Sequence, residues 1–424
     1  MEAIYQNGTP APCPGQFNLA DYVLQAGRAT PEKTALAVLS MTGARRIRYG
    51  ELCQSVLGVA AGILDTGAKP GQRVLIRLGN TPEFPIAFLA SIAAGLVPVP
   101  TSSQLTQAEV DVLAAQVEPS FVLVSEGIAV PSQSQAIIIP AERLSEMHDN
   151  TPASIARTNA DDPAYIVFTS GTSGSPRAVV HAHRAVWARR MMWKGWYGLT
   201  ADDRLLHAGA FNWTYTLGTG ILDPWAIGAT ALIPAPGISP DQLPLLLKRH
   251  DATIFAAAPG VYRQVLKSPL PPLSKLRHGL SAGEKLPDAV RVAWRQATGC
   301  EIYEAFGMSE CSTFISSAPP EPATGHVLGR PQPGRHVAII GDDGPVEIGQ
   351  EGTIAIHKDD PGLMLGYLGH PAETKAKFAG PWFLTGDRGM MDAEGLVSYL
   401  GRADDMMNAG GYRVSPLEIG RAHV

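Results

Sequence analysis

The sequence predicts an α/β protein in which two stacked α/β subdomains are followed by a small all-β subdomain. Three observations predict it. The chain has 424 residues, 45% of them hydrophobic, enough for two or three domains or subdomains. Apolar runs of strand length alternate with segments of helical period, the pattern of βα units around a parallel sheet. From about Gly325 that alternation gives way to short strands bounded by Gly and Pro.

The elements follow in order. RVLIRL (Arg73 to Leu78) reads as a strand, Ala87 to Ala94 as a helix, LVPVP as a strand, Thr106 to Gln116 as a helix, and SFVLV (Ser120 to Val124) as a strand. A second series repeats the alternation: RLLHAGA, then ATALIPA (Ala229 to Ala235), a helix over Pro240 to Arg249, TIFAAA (Thr253 to Ala258), and a helix over Asp288 to Ala297. HVAII (His336 to Ile340), GTIAIH (Gly352 to His357) and LVSYLG (Leu396 to Gly401) read as strands of a small barrel or sandwich. The predicted divisions are residues 1–324, 325–400 and 401–424.

Charge and composition exclude several classes. Lys and Arg number 34 against 39 Asp and Glu, a formal net charge of −5 with both signs interspersed, so neither a nucleic-acid partner nor an anionic membrane surface is expected. The four cysteines (Cys13, Cys53, Cys300, Cys311) form no C-x-x-C pair, which argues against a disulfide framework or zinc knuckle. The start, Met1-Glu2, carries no charged-then-apolar leader pattern. The longest apolar stretch, Pro85 to Pro98, is interrupted by Ser91 and Gly95 and is too short to span a bilayer. A soluble protein of the reducing cytoplasm, without a membrane span, is the expectation.

The densest motif is Thr169-Ser170-Gly171-Thr172-Ser173-Gly174-Ser175-Pro176-Arg177, which ends a buried strand (Tyr165 to Phe168). Hydroxyls and glycines at this density suit backbone N–H and side-chain O–H groups converging on a polyphosphate, and Arg177 adds fixed positive charge. No G-K-[ST] follows, so it is not a Walker A loop. On composition alone a Ser/Gly-rich surface turn remains the alternative. Further on stand SAGEKLP around Gly283, YEAFGMSE (Tyr303 to Glu310), TGD (Thr385 to Asp387) and GRADDMMNAGGYRVSPLEI (Gly401 to Ile419).

In this order and at these separations the motifs resemble the acyl- and aryl-CoA synthetases of the adenylate-forming superfamily. FNLADYVLQAGRATPEKTAL, RYGEL (Arg48 to Leu52) and RVLIRLGNTPEFPIAFLASIAAGLVPVPTS resemble the family's N-terminal region as well, so the resemblance covers nearly the whole chain. It implies the large N-terminal domain of adenylate-forming enzymes: two stacked α/β subdomains plus a small β-barrel. It also implies an AMP-forming acid–thiol ligase that uses ATP, magnesium and CoA on a small carboxylic acid. By that resemblance Thr169 and Arg177, with Ser170, Gly171, Thr172, Ser173 and Gly174, would hold the β- and γ-phosphates. Glu310 would hold magnesium, a hard cation suited to carboxylate oxygen. Ser309 would bond the α-phosphate, Asp387 and Arg402 the ribose, and Gly283, Glu284 and Glu304 would form the adenine slot. Asp404 matches the hinge, and Gly410 to Arg413 the loop that enters for the thiol step.

AFNWTYTLGTGILDPW (Ala210 to Trp225) resembles the segment lining the acyl pocket, which assigns Trp213, Tyr215 and Gly307 to that pocket. Glycine at 307, where acetate-specific relatives carry tryptophan, implies an open pocket and a medium-chain or aromatic acid. Read singly, Trp213 and Tyr215 are equally ordinary core aromatics. His181, His183 and His207 lack metal-ligand partners in the sequence and read as structural, and Cys311 reads as a buried small hydrophobe.

Two departures from the family pattern stand out. Pro176-Arg177-Ala178 replaces the usual P-K-G, keeping the charge on a planar fork. The family continues for a further domain of about 100 residues bearing a catalytic lysine, whereas no lysine follows Lys377 here. Glu418 to Val424 can be encoded by GAGATCGGAAGAGCACACGTC, which resembles a sequencing-library adapter, so the expectation is a truncated and impaired fragment whose gene continues. Loading of a carrier-protein thiol and non-catalytic binding of ATP or acyl-adenylate are the alternatives to CoA ligation.

Overall fold

The computed structural model describes residues 1–169, 176–319, 321, 323, 325, 327–402, 407–409 and 412–414, the last two stretches as backbone. The first expected series is a four-stranded parallel sheet in the order Val97–Pro100, Arg73–Arg77, Phe121–Val124 and Ile137–Pro140. Its central strand is apolar on both sides because both faces are covered: Val74 and Ile76 enter one core cluster and Leu75 another. Pro98 and Pro100 fall on the edge strand, where one side of the ladder requires no donor.

The second series gives the larger sheet. Thr34–Leu39, Thr230–Pro234, Arg204–His207, Ile254–Ala256, His278–Ala282 and Ile302–Met308 lie side by side and parallel. Successive side chains point to opposite faces: Leu206, Phe255 and Ile302 pack on one side, Leu205, Ile254 and Tyr303 on the other.

A helical layer of Leu19–Ala29, Tyr49–Leu64 and Glu83–Ala93 fills the space between the two sheets. One core cluster joins it to Val74 and Phe121 of the small sheet and to Leu36 and Ile233 of the large one. Glu83–Ala93 comes from the long apolar stretch seen in the sequence, and it is buried on every side from Phe84 to Ala93. A helix apolar all round requires such a setting. Its lone hydroxyl, Ser91, donates to the Ala87 carbonyl at 2.8 Å. Among the described residues, no helix is long and apolar enough to cross a membrane.

The C-terminal part is mostly β, with a short helix, Pro371–Ala376, against the all-β expectation, and it is hydrogen-bonded into the large sheet. Ile302–Met308 pairs antiparallel with Ser312–Ser316, which pairs with Val327–Pro331. From there the ladder continues through Val397–Arg402, Trp382–Met391, Glu351–His357 and His336–Gly341 to the N-terminal strand Ile4–Gln6. Strand Val327–Pro331 therefore ties the α/β part to the antiparallel part. The expected helix over 240–249 begins as a 3₁₀ turn, Pro240–Gln242, before Leu243–Arg249. The segment expected at the acyl pocket winds into a π-helix, Thr216–Leu222, a form that recurs at functional sites.

Candidate functional site

Pro163–Thr169 and Arg177–Ala182 form an antiparallel hairpin with Thr169 opposite Arg177. Ser170, Gly171, Thr172, Ser173 and Gly174, assigned above to the phosphates, lie outside the described residues, as do Asp404, Gly410 and Gly411. Arg177 is half-buried. Its Nε pairs with Glu373 at 2.8 Å, and its guanidinium lies 5.4 Å from the centre of the Tyr367 ring. The Tyr367 hydroxyl donates to Glu310 Oε1 at 2.7 Å. Burial, and then the Glu310 carboxylate, push the Tyr367 phenol above its ordinary pKa, so it remains a donor. Sequence reading missed Tyr367 and Glu373; the only local signal was Tyr367 beside a strand-ending glycine, which is weak.

Ser309 and Glu310 sit in the turn between Ile302–Met308 and Ser312–Ser316. The Ser309 carbonyl lies 2.8 Å from His181 Nε2, and the Glu310 carbonyl accepts the Met364 N–H at 2.8 Å. Burial holds His181 neutral, with its pKa pushed down to about 4, so Nε2–H serves as the donor. His183 Nδ1 accepts the Leu19 N–H and His207 Nδ1 the Gly209 N–H, the structural roles expected of both. Cys311 is buried, and burial raises its thiol pKa far above the ordinary value.

Beside this turn, at the carboxyl ends of the parallel strands, opens a cavity of about 190 Å³. Ligands of open α/β sheets bind at that end. Gly283, Glu284, Glu304, Gly307, Asp387 and Arg402 all line it, drawn from segments far apart in the chain. Lys285, Phe306 and Tyr399 line it too, without having been singled out in the sequence.

Asp387 and Arg402 face each other across neighbouring antiparallel strands, with Nη1 3.7 Å from Oδ1. The Tyr399 hydroxyl donates to the same oxygen at 3.3 Å. Thr385 holds the approach to Asp387: its hydroxyl donates to the Ile354 carbonyl at 2.8 Å and accepts the Asp387 N–H at 3.0 Å. The result is a carboxylate largely withdrawn from solvent yet open to the cavity, an arrangement suited to accepting hydrogen bonds from a diol.

The Glu304 carboxylate is committed to the protein. Oε1 accepts the Leu286 N–H at 2.8 Å, and Oε2 accepts from Lys285 at 2.8 Å and Arg291 at 3.1 Å. It braces the Gly283–Leu286 segment from the wall of the cavity.

Trp213 packs over Gly283 so closely that a Cβ there would stand 2.6 Å from the indole. Tyr215 meets Trp213 edge-on at 5.4 Å, and its hydroxyl donates to the Leu280 carbonyl at 3.1 Å. Trp213, 37% exposed, packs on Gly283 of the cavity wall, whereas Tyr215 belongs to the core beside Trp196.

Gly307 lines the cavity and also lies close to the neighbouring strand. A Cβ at this position would lie 2.1 Å from the Ser312 carbonyl oxygen and 2.4 Å from the Thr313 Cα. The reason for glycine is close backbone approach across the hairpin, where the register shifts between Phe306 and Gly307.

Among the described residues no group of three His, Cys, Asp or Glu side chains could hold a metal, so a magnesium ion at Glu310 would need oxygens from the substrate as well. That fits a cation held by one carboxylate together with substrate phosphates, the usual way magnesium is bound.

The family model described as AMP-binding enzyme matches residues 23–368. The mitochondrial acyl-coenzyme A synthetase ACSM3 of Pongo abelii is 29% identical over 83% of this chain, and that stretch covers 64% of its own length. The benzoate–CoA ligase of Thauera aromatica is 28% identical over 98% of this chain and 82% of its own. Among solved structures, ATP-bound MatB from Rhodopseudomonas palustris superposes with a TM-score of 0.86 at 26% identity, covering 95% of this chain and 82% of that one. A benzoate CoA ligase from Burkholderia xenovorans LB400 gives 0.83 at 28% identity, covering 95% and 83%. This chain thus spans just under two thirds of the length of the first of these relatives, its fold is that of the large N-terminal domain of adenylate-forming enzymes, and it belongs to the AMP-binding enzyme family.

Proposed function

We propose that this chain carries the site at which ATP activates a carboxylic acid. The acid's carboxylate oxygen attacks the α-phosphorus of ATP, the bond to the bridging oxygen of the β-phosphate breaks, and pyrophosphate leaves. The acyl-AMP so formed carries AMP in place of an oxide that could not depart. A thiol sulfur then attacks the acyl carbonyl and AMP leaves. Coenzyme A is the proposed thiol, supported by the names of the relatives, with a carrier-protein thiol as the competing acceptor.

The observation that carries this reading is the gathering of Gly283, Asp387, Tyr399 and Arg402 around one cavity, with the Ser309–Glu310 turn beside it. Asp387, with Arg402, anchors the ribose. Gly283 and Glu284 border the base. Ser309 reaches the α-phosphate, and Thr169 and Arg177 flank the β- and γ-phosphates. Glu310 holds magnesium, whose charge offsets that developing on the phosphates. Trp213 borders the acid, and a medium-chain or aromatic acid is the proposed substrate class. The division into residues 1–324, 325–400 and 401–424, a hinge at Asp404 and a cytoplasmic location belong to the same proposal.

Acid-dependent exchange of labelled pyrophosphate into ATP tests it, with acetate, hexanoate, octanoate, benzoate and hydroxybenzoates on a protein extended by a C-terminal domain of the family. Exchange with the larger acids and not with acetate is expected. Absence of exchange with every acid overturns the activity, and exchange with acetate alone overturns the substrate class.

A further inference from the structure

The turn that carries Ser309 and Glu310 returns through Ser312, whose φ of +67° places a residue bearing a side chain in the left-handed region. That conformation is costly for any residue except glycine and is kept only where the surroundings enforce it. Besides its pairing with Met308, Ser312 is met by Arg189, whose Nη1 donates to Ser312 Oγ at 2.5 Å.

Arg189 is itself immobilised from the other side. Its Nε donates to both Asp223 oxygens at 2.9 and 3.0 Å, and Nη2 donates to Asp223 Oδ2 at 2.6 Å and to Tyr197 Oη at 3.0 Å. The Tyr197 hydroxyl donates to Asp223 Oδ2 at 2.7 Å. Arg189 and Asp223 are 6% and 1% exposed. A buried pair of this kind adds little stability compared with an apolar replacement, so its stability contribution does not account for the fork aimed at Ser312.

We propose that Arg189, oriented by Asp223, is a positioning residue that holds the Ser309–Glu310 turn in the geometry required for magnesium-assisted phosphate binding. The pair acts through Ser312 and touches no substrate. This rests on the function proposed above.

The test is calorimetric binding of ATP, with and without magnesium, to the 424-residue chain. The variants are Arg189→Met with Asp223→Leu, the same pair with Ser312→Gly, and Arg189→Lys; thermal unfolding establishes that each is folded. In the wild type, magnesium is expected to tighten ATP binding. The Met/Leu variant should lose roughly tenfold of that tightening, the size of the left-handed backbone cost, with magnesium-free binding unchanged. Ser312→Gly should restore most of the loss, because glycine adopts the conformation unaided. Arg189→Lys, which keeps the charge but not the fork, should fall between, and it carries the test if the Met/Leu pair does not fold. Wild-type magnesium dependence in folded Met/Leu or Lys variants overturns the inference, as does failure of Ser312→Gly to restore it. A wild-type chain that binds no ATP under either condition removes the proposed function itself, and this inference with it.

Discussion

Tyr367 donates to the Glu310 carboxylate at 2.7 Å while Arg177 lies over its ring, so one phenol links the end of the phosphate-loop hairpin to the turn assigned to magnesium. The link crosses three segments of the chain: the Arg177–Ala182 strand, the turn after Ile302–Met308 and the short Gly366–Tyr367 strand, which pairs with Val179 and Val180. Tyr367→Phe should leave the fold intact and weaken magnesium-dependent ATP binding by about three- to tenfold, since a hydrogen bond to a charged group is worth roughly 1.5 to 3 kcal/mol and water replaces part of it. Binding titrations with and without magnesium check this, and an unchanged magnesium effect would show that the phenol does not hold Glu310 in place.

Gly307→Ala should lower the melting temperature and weaken ATP binding, because even a methyl group meets the Ser312 carbonyl and the strand must shift. Overpacking of this kind costs roughly 1 to 3 kcal/mol. Thermal unfolding and ATP titration decide it. A fully stable Gly307→Ala protein with altered acid preference alone would show that Gly307 serves the acyl pocket and that the close approach does not constrain it.

Buried histidines make the fold sensitive to acid, His181, His183 and His207 among them. Burial lowers the His181 and His183 pKa values to about 4 and that of His207 to about 3, against an ordinary 6.5. Between those values the unfolded chain binds more protons than the native one, so stability is complete above about pH 6.5 and declines as pH falls toward 4. The melting temperature should therefore drop between pH 7.5 and 5, and less steeply in a folded His181→Asn variant. Equal slopes for both proteins would contradict the neutral, buried assignment of His181.

Much of this arrangement is legible in the sequence, for physical reasons. Strands such as RVLIR and TALIP announce themselves because parallel strands buried on both faces must be continuously apolar. Thr385, Asp387 and Arg402 could be singled out because they lie in compact local motifs. Tyr367, Tyr399 and the Arg189–Asp223 pair could not, since their roles arise from partners that lie outside their own local motifs and no local spacing records such a meeting. Gly307 shows the converse: the residue was visible, but its close approach to Ser312 across the hairpin is a property of three-dimensional packing. The joining of the C-terminal strands to the large sheet was hidden in the same way, because antiparallel pairing between Ser312–Ser316 and Val327–Pro331 leaves no periodic trace.

Binding of a non-hydrolysable acyl-adenylate mimic, benzoyl-sulfamoyl adenosine, to the wild-type chain and to Asp387→Ala tests the central claim most directly, because it interrogates the ribose, phosphate and acid positions together without requiring turnover. One molecule should bind per chain, more tightly than AMP, and Asp387→Ala should weaken it by roughly ten- to a hundredfold, the range expected for lost bonds to a charged, buried group. Absence of binding, or equal binding by Asp387→Ala, would contradict the assignment of this cavity as the adenylate site.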